Sequence, residues 1–321
     1  MAGGSSSAER RLRALAADRI RFAPSAEMDE QVNASAPALP ARRARLAAWQ
    51  GTLTVVLGGI AGQLAGAAVF VVAIVIVIAR DGMGALSPEA LLTRGDLLAA
   101  SIAATGLAMT SAALLIPLLA RIPLRSALGL VSAPWPCFVA APIGILALGP
   151  TSDALRRFMQ TYLPSLTLGS LGMLDSLVQS APLILILPLL SILPGVSEEL
   201  LFRGAFQRSI SNAALAIPLS ALLFAAYHLD PHHVVAVVPL GLYLASLAHL
   251  TQSTAVTIVA HVGNNAVAVA AGVWLGSGEG ALPSPMSAAD IAAIPLGWIV
   301  AAIAMYVVWW SVRRTRPDGP A

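Results

Sequence analysis

Long apolar runs, separated by short charged or Pro- and Gly-containing stretches, dominate this sequence from about residue 52 onward. A helix needs about 20 mostly apolar residues to cross a bilayer. Only 11% of the 321 residues are charged, against about 25% in soluble domains, so the chain cannot cover a water-facing surface. The candidate spans are 53–79, 97–120, 137–150, 181–208, 214–229, 233–250, 253–275 and 291–311. The sequence therefore predicts an all-α, polytopic transmembrane helical bundle of about eight spans, with a short third span and a marginal fifth.

The distribution of arginines predicts on which side of the membrane the two ends of the chain lie. Residues 1–48 contain many arginines and no long apolar run, so we expect a disordered, basic cytoplasmic tail. Arg313, Arg314 and Arg316 follow the last span. Both termini are then cytoplasmic, which requires an even number of spans, and the chain is expected in the plasma membrane as a multi-pass protein. Residues 49–180 are predicted to hold N-terminal transmembrane helices and loops, and 271–321 the last transmembrane helix with a cytoplasmic tail.

A glycine stripe and a polar cluster distinguish the spans from plain apolar helices. Gly58, Gly62 and Gly66 recur every four residues, a pattern that permits close helix packing without implying chemistry. Ionisable side chains inside a bilayer cost at least about 2.5–3.5 kcal/mol each on insertion scales, so they need a partner or a purpose. Here such residues concentrate between positions 198 and 265.

Three short motifs make up this cluster. In the first, Glu199 and Arg203 are four residues apart on one helix face and are expected to pair, which leaves Glu198 free for chemistry. The second places His228 four residues after Phe224. The third places His261 and Asn265 on one face of a later helix, with Gly263 between them leaving room for another group to approach. Because the three motifs lie on separate helices, they can converge on one polar site open to the cytoplasm.

The next polar residues, Asp230, His232 and His233, follow directly after the second motif. They could bind a metal, but the interpretation that we favour is a solvated turn in an outer loop. His249, at a span end, is expected at the membrane interface.

Taken together, Glu-Glu-x-x-x-Arg at 198–203, Phe-x-x-x-His at 224–228 and His-x-x-x-Asn at 261–265 resemble the signature of the CPBP family. This family of CAAX proteases and bacteriocin-processing proteins, also called Abi, includes type II CAAX prenyl endopeptidases. The resemblance covers about 181–270, which we interpret as the catalytic core. It implies a helical intramembrane endopeptidase that acts on a membrane-associated peptide or protein.

The resemblance also implies roles for the motif residues. Glu198 would be the general base and His228 would assist in activating water, while His261 and Asn265 would stabilise the oxyanion. Glu199, Arg203 and Phe224 match the remaining, supporting motif positions.

Cofactor use stays open at this point. Glu198, His228 and His261 are a candidate three-ligand set for catalytic zinc, but they lack the His-Glu-x-x-His spacing that places two ligands and a base on one helix. A metal-free glutamate mechanism uses the same residues, and the sequence favours it slightly.

The expected partners are membrane lipids and a peptide or protein substrate at the membrane, and the sequence contains no nucleic-acid-binding motif. Two other functions remain alternatives. One is a non-catalytic immunity or assembly protein of the same fold. The other is a proton-coupled transporter, which the lack of a visible internal repeat disfavours.

Overall fold

The computed structural model describes residues 45–85, 87, 94–169, 172–174, 177–178, 182–275 and 285–315. Most of the predicted N-terminal tail and the last residues of the predicted C-terminal tail lie outside these ranges. The described residues form helices and connecting turns with no strand, which confirms the predicted all-α fold class. The helices are α1 (Ala48–Asp81), α2 (Gly95–Leu119), α3 (Leu124–Ala127), α4 (Trp135–Ala147), α5 (Gly149–Tyr162), α6 (Leu183–Ser209), α7 (Ala213–Tyr227), α8 (Pro231–Thr251), α9 (Thr254–Leu275) and α10 (Ala288–Thr315).

Seven helices of the described chain are long and apolar enough to cross a membrane, counting α4 and α5 as the single span Trp135–Tyr162. The chain is thus a polytopic bundle, as predicted. The predicted third span, 137–150, is longer than expected because the chain continues from α4 into α5. The predicted fifth span corresponds to α7, which has 15 residues and a length of about 22 Å, short of the roughly 30 Å hydrocarbon core.

The glycine stripe brings α1 against its neighbours, as the sequence predicts. A Cβ atom on Gly58 would lie 2.7 Å from Leu201 of α6, and one on Gly66 would lie 2.5 Å from the Thr105 hydroxyl of α2. The close approach allows the hydroxyl of Thr105 to donate to the carbonyl of Gly62 at 3.1 Å. These contacts hold α1 directly against α2 and the motif-bearing helix α6.

One end of the bundle, which we call the basic end, carries Arg45, Arg125, Arg208 and Arg313. Arg45, just before α1, donates to the Gln252 side chain after α8 at 3.1 Å. Arg208, near the end of α6, donates to the Gln252 carbonyl at 3.0 Å and to the Ser126 carbonyl at 3.4 Å. Because Arg45 and Arg313 line one cavity, the start of α1 and the end of α10 lie at the same end of the bundle.

Candidate active site

Helix α6 carries the two adjacent glutamates at a change of winding. The segment Leu193–Glu198 is α-helical, whereas Glu199–Phe206 has the wider π-helical hydrogen bonding. Such π segments are rare and occur frequently at functional sites. Both carboxylates are buried, with 9% exposure for Glu198 and none for Glu199. The change of winding therefore lies directly at the residues that the first motif singles out.

Glu199 is the centre of a buried polar network. Its Oε1 accepts from Arg203 Nη1 at 2.9 Å, so the ion pair expected from the four-residue spacing is present. Arg203 is fully buried, donates a second bond to the carbonyl of Gly241 at 3.1 Å and stacks over the Phe224 ring at 4.3 Å. A buried ion pair is tolerated only when further hydrogen bonds offset the loss of hydration, and this pair has them.

The same Glu199 oxygen also orients His261. His261 Nδ1 lies 2.9 Å from Glu199 Oε1. Because a carboxylate paired with arginine can only accept, we assign the proton of this bond to Nδ1. The other ring nitrogen, Nε2, then faces Glu198 at 3.9 Å from its Oε2. That separation is too long for a direct hydrogen bond, but one bridging oxygen can span it.

His228 approaches the same site from α7. It is the first residue after α7, whereas the predicted span 214–229 places it inside a helix. The chain leaves the helix here because Leu229 has a positive φ of 61° and Pro231 begins α8, where proline disfavours helical geometry in the residue before it. His228 Nδ1 donates to the Phe224 carbonyl at 3.0 Å. Because a carbonyl cannot donate, Nε2 is left as an acceptor in the neutral ring.

Phe224 is the shared neighbour of the two motif histidines. Its ring centroid lies 5.1 Å from that of His228 and 5.6 Å from that of His261, edge-on in both cases. With Arg203 stacked on it as well, this ring joins the second motif to the other two. The predicted convergence of α6, α7 and α9 is therefore present for Glu198, Glu199, Arg203, Phe224, His228 and His261.

Asn265 is the motif residue with the weakest connection to this cluster. It is half-buried, one turn beyond His261, and its side-chain oxygen accepts from Asn264 at 3.3 Å. That bond is to its sequence neighbour and not to Glu198, His228 or His261. Its role therefore remains a prediction from the resemblance.

Gly263 has the room that the sequence led us to expect, but no described group makes a close approach there. A Cβ atom there would meet only Pro142 of α4, at an ordinary 3.7 Å. The close approach instead occurs at Gly195 of α6, where a Cβ atom would lie 2.6 Å from Val262 Cγ2 and 3.0 Å from the Val262 nitrogen. Gly195 therefore lets the glutamate helix lie against α9. It stands three residues before Glu198, and only its position beside the motif could have drawn attention to it.

Asp230 and His232 are buried, so the favoured interpretation of a solvated turn is wrong for them. Asp230 caps α8 by accepting from the His232 amide at 3.0 Å and also accepts from the Leu168 amide at 3.1 Å. His232 Nε2 donates to the Leu163 carbonyl at 2.9 Å. The two side chains fasten the segment after α5 to the start of α8. His233 is half-buried and does not take part in these bonds. Its ring packs against that of His228, with 4.3 Å between the ring centroids.

Tyr227 has a buried hydroxyl, a polar group that the sequence motifs do not include. Within the described chain its hydroxyl has no hydrogen-bond partner, and it occupies the space left by Gly62, where a Cβ atom would lie 2.6 Å from it. Its ring also packs 5.9 Å from that of Phe202 on α6. Nothing in the sequence except its place between Phe224 and His228 could have marked it.

The zinc alternative requires three ligands that point at one ion. Within the described part of the chain, no three His, Cys, Asp or Glu side chains lie close enough together to hold a metal. Glu198 and His261 face each other, but with His228 they do not make a complete ligand set. The three side chains therefore do not form the ligand set of a zinc site in this arrangement. The favoured metal-free mechanism stays a prediction.

Comparison with known proteins adds one match. Residues 180–267, which include all three motifs, match the family described as type II CAAX prenyl endopeptidase Rce1-like. No curated protein and no solved structure shows significant similarity to the chain. The match confirms the resemblance predicted from the motifs: this chain carries, at residues 180–267, the region characteristic of the CAAX-protease family.

Proposed function

We propose that this protein is an intramembrane endopeptidase that hydrolyses a peptide bond in a membrane-associated peptide or protein, with Glu198 as the general base. One observation carries the proposal. Glu199 holds both Arg203 and His261, each at 2.9 Å, while Glu198 forms no ion pair with an arginine of the described residues and faces His261 Nε2 at 3.9 Å. A buried carboxylate that faces a histidine and is not neutralised by an arginine of the described residues is suited to move a proton.

The proposed reaction begins with a water molecule between Glu198 Oε2 and the histidines. Glu198 takes a proton from the water, and the oxygen attacks the carbonyl carbon of the substrate. His228 Nε2, which is an acceptor in the neutral ring, receives a hydrogen bond from the same water and orients it. Positioned acid–base catalysis of this kind contributes about 10²–10⁴-fold in rate.

Attack places a negative charge on the former carbonyl oxygen. The Asn265 amide can donate to this oxyanion without a change of protonation, whereas His261 can donate only if Nε2 carries a proton in addition to Nδ1. A donor lost from such a site costs about 3–4 kcal/mol in known enzymes. Glu198 then returns its proton to the leaving amine, the C–N bond breaks and the carboxylate becomes free again.

The family match supports peptide-bond hydrolysis as the reaction class, because its description names prenyl endopeptidases. We also propose that the basic end faces the cytoplasm, since arginine-rich ends are retained on that side. Both termini are then cytoplasmic in the plasma membrane, with the short helix α7 and its flanking turns together forming an eighth crossing.

Comparative peptidomics of membranes tests the function directly. Membranes that contain the wild type, Glu198→Ala or Asp96→Ala are compared for short peptides and intact precursors. Asp96→Ala is the control, because Asp96 is exposed and, among the described residues, its ion pair is with Arg94 at the start of α2. We expect a set of cleavage products in the wild type and the control, and the uncleaved precursors with Glu198→Ala. Identical peptides in all three membranes would overturn the proposal. A Glu198-dependent phenotype without any cleavage product would indicate the non-catalytic alternative.

A further inference from the structure

A second polar site lies at the basic end, apart from the glutamate and histidine cluster. It is a cavity of about 490 Å³ between the ends of α6, α8 and α10 and the start of α7. Its lining residues include Arg45, Arg208, Leu250, Gln252, Trp309 and Arg313. We call it the arginine pocket.

The arginine pocket has a strongly one-sided charge. Three of its lining residues are arginines, and among the described residues no Asp or Glu lines it. The hydrogen bonds of Arg45 and Arg208 go to the neutral side chain and carbonyl of Gln252 and to the Ser126 carbonyl. Arg313 stacks on Trp309 at 4.4 Å. None of these contacts neutralises a charge, so the pocket is a ready site for an anion.

An apolar groove continues from this pocket along α10. It has a volume of about 410 Å³ and is lined by Leu250, Ala302, Met305, Tyr306 and Trp309. Leu250 and Trp309 belong to both the groove and the arginine pocket. A cationic pocket at a helix end, joined to an apolar groove along the helix side, matches a ligand with an anionic head and a hydrocarbon tail.

We propose that the arginine pocket binds the phosphate headgroup of an anionic phospholipid, with an acyl chain of the same lipid in the groove. Arginine recognises phosphate through several parallel N–H donors. Basic pockets between transmembrane helices are established headgroup sites in other membrane proteins. The bound lipid would hold together the ends of α6, α8 and α10. Of these helices, α6 carries the two glutamates of the candidate active site, and α8 leads into α9, which carries His261.

The binding test uses the full-length chain in detergent micelles, titrated with dioleoyl-phosphatidylglycerol and followed by native mass spectrometry. Arg45→Gln and Arg313→Gln each remove one pocket charge, which near an anionic headgroup corresponds to about a fivefold weaker Kd. The matched control is Arg314→Gln. Arg314 is the next residue and also stacks on a tryptophan, Trp310, at 3.6 Å, but it does not line the pocket. We expect Kd to rise for the first two variants and to stay at the wild-type value for Arg314→Gln.

Three further arms separate the sources of binding. Ala302→Trp fills the groove, so it should weaken the intact lipid while leaving binding of the soluble headgroup glycerophosphoglycerol unchanged. Phosphatidylcholine, which has no net charge, should bind at least several-fold more weakly than phosphatidylglycerol. Equal effects of Arg313→Gln and Arg314→Gln, or equal binding of the two lipids, would overturn the proposal. Displacement of the lipid by inorganic phosphate at a similar concentration would show a simple phosphate site instead.

Discussion

The buried pair of Glu199 and Arg203 yields the sharpest stability prediction. Both side chains have no exposure, and Arg203 has further contacts with the Gly241 carbonyl and the Phe224 ring. Arg203→Met leaves the Glu199 carboxylate buried without its cation. Removal of one partner from a buried pair costs about 3–5 kcal/mol. We therefore expect Arg203→Met to be severely destabilised.

A second variant separates charge from packing. Glu199→Gln combined with Arg203→Met removes both charges but keeps an amide that can accept from His261. The bond to Gly241 is still lost, and hydrogen bonds of charged groups are worth about 1.5–3 kcal/mol. The double variant should therefore recover about 2 kcal/mol relative to Arg203→Met alone.

The assay is unfolding of the purified protein in detergent, measured by tryptophan fluorescence against temperature. At about 2–4 °C per kcal/mol, Arg203→Met should lower the Tm by roughly 10 °C, and the double variant should regain several degrees. Arg94→Met is the matched control, since its pair with Asp96 is 51% and 64% exposed, and it should melt with the wild type. A wild-type Tm for Arg203→Met, or a double variant no more stable than the single one, would refute the electrostatic reasoning.

Two further predictions concern packing around the site. Gly195→Ala should be destabilised by about 1–3 kcal/mol, because the new methyl group would lie 2.6 Å from Val262 Cγ2. The control Gly263→Ala should have the Tm of the wild type. Equal Tm values for the two variants would contradict the close approach of α6 to α9. His232→Ala removes the hydrogen bond to the Leu163 carbonyl. Amide hydrogen exchange at residues 163–168, measured by mass spectrometry, should therefore become faster. Unchanged exchange there would show that His232 does not fasten this segment.

The sequence predicted the helical class and most span positions, because these depend on local features. It also predicted the convergence of three motifs, because ionisable side chains inside a bilayer need a partner or a purpose. Apolar run length determines the spans, and four-residue spacing determines the Glu199–Arg203 pair. The sequence could not predict that Glu199 also binds His261, because the two residues are 62 positions apart and meet only through the packing of α6 on α9. The same limit explains why Gly263 rather than Gly195 was singled out.

The sequence also did not predict the change of winding in α6. The sequence has Pro188 and Pro194 in this span, which break the regular hydrogen-bond ladder, but the π-helical segment from Glu199 to Phe206 has no comparable local signal. Asp230 and His232 were misjudged because a polar turn between two spans is usually solvated. Here the segment after α5 covers it.

The central claim is that Glu198 is the base that activates water. Its most direct test is the cleavage rate of a substrate identified by peptidomics, measured with purified protein in liposomes for the wild type and Glu198→Gln at equal folded fraction. Glutamine keeps the shape of the side chain but cannot take a proton, so the account predicts a loss of at least about 10²-fold. Cleavage by Glu198→Gln at the wild-type rate would contradict it.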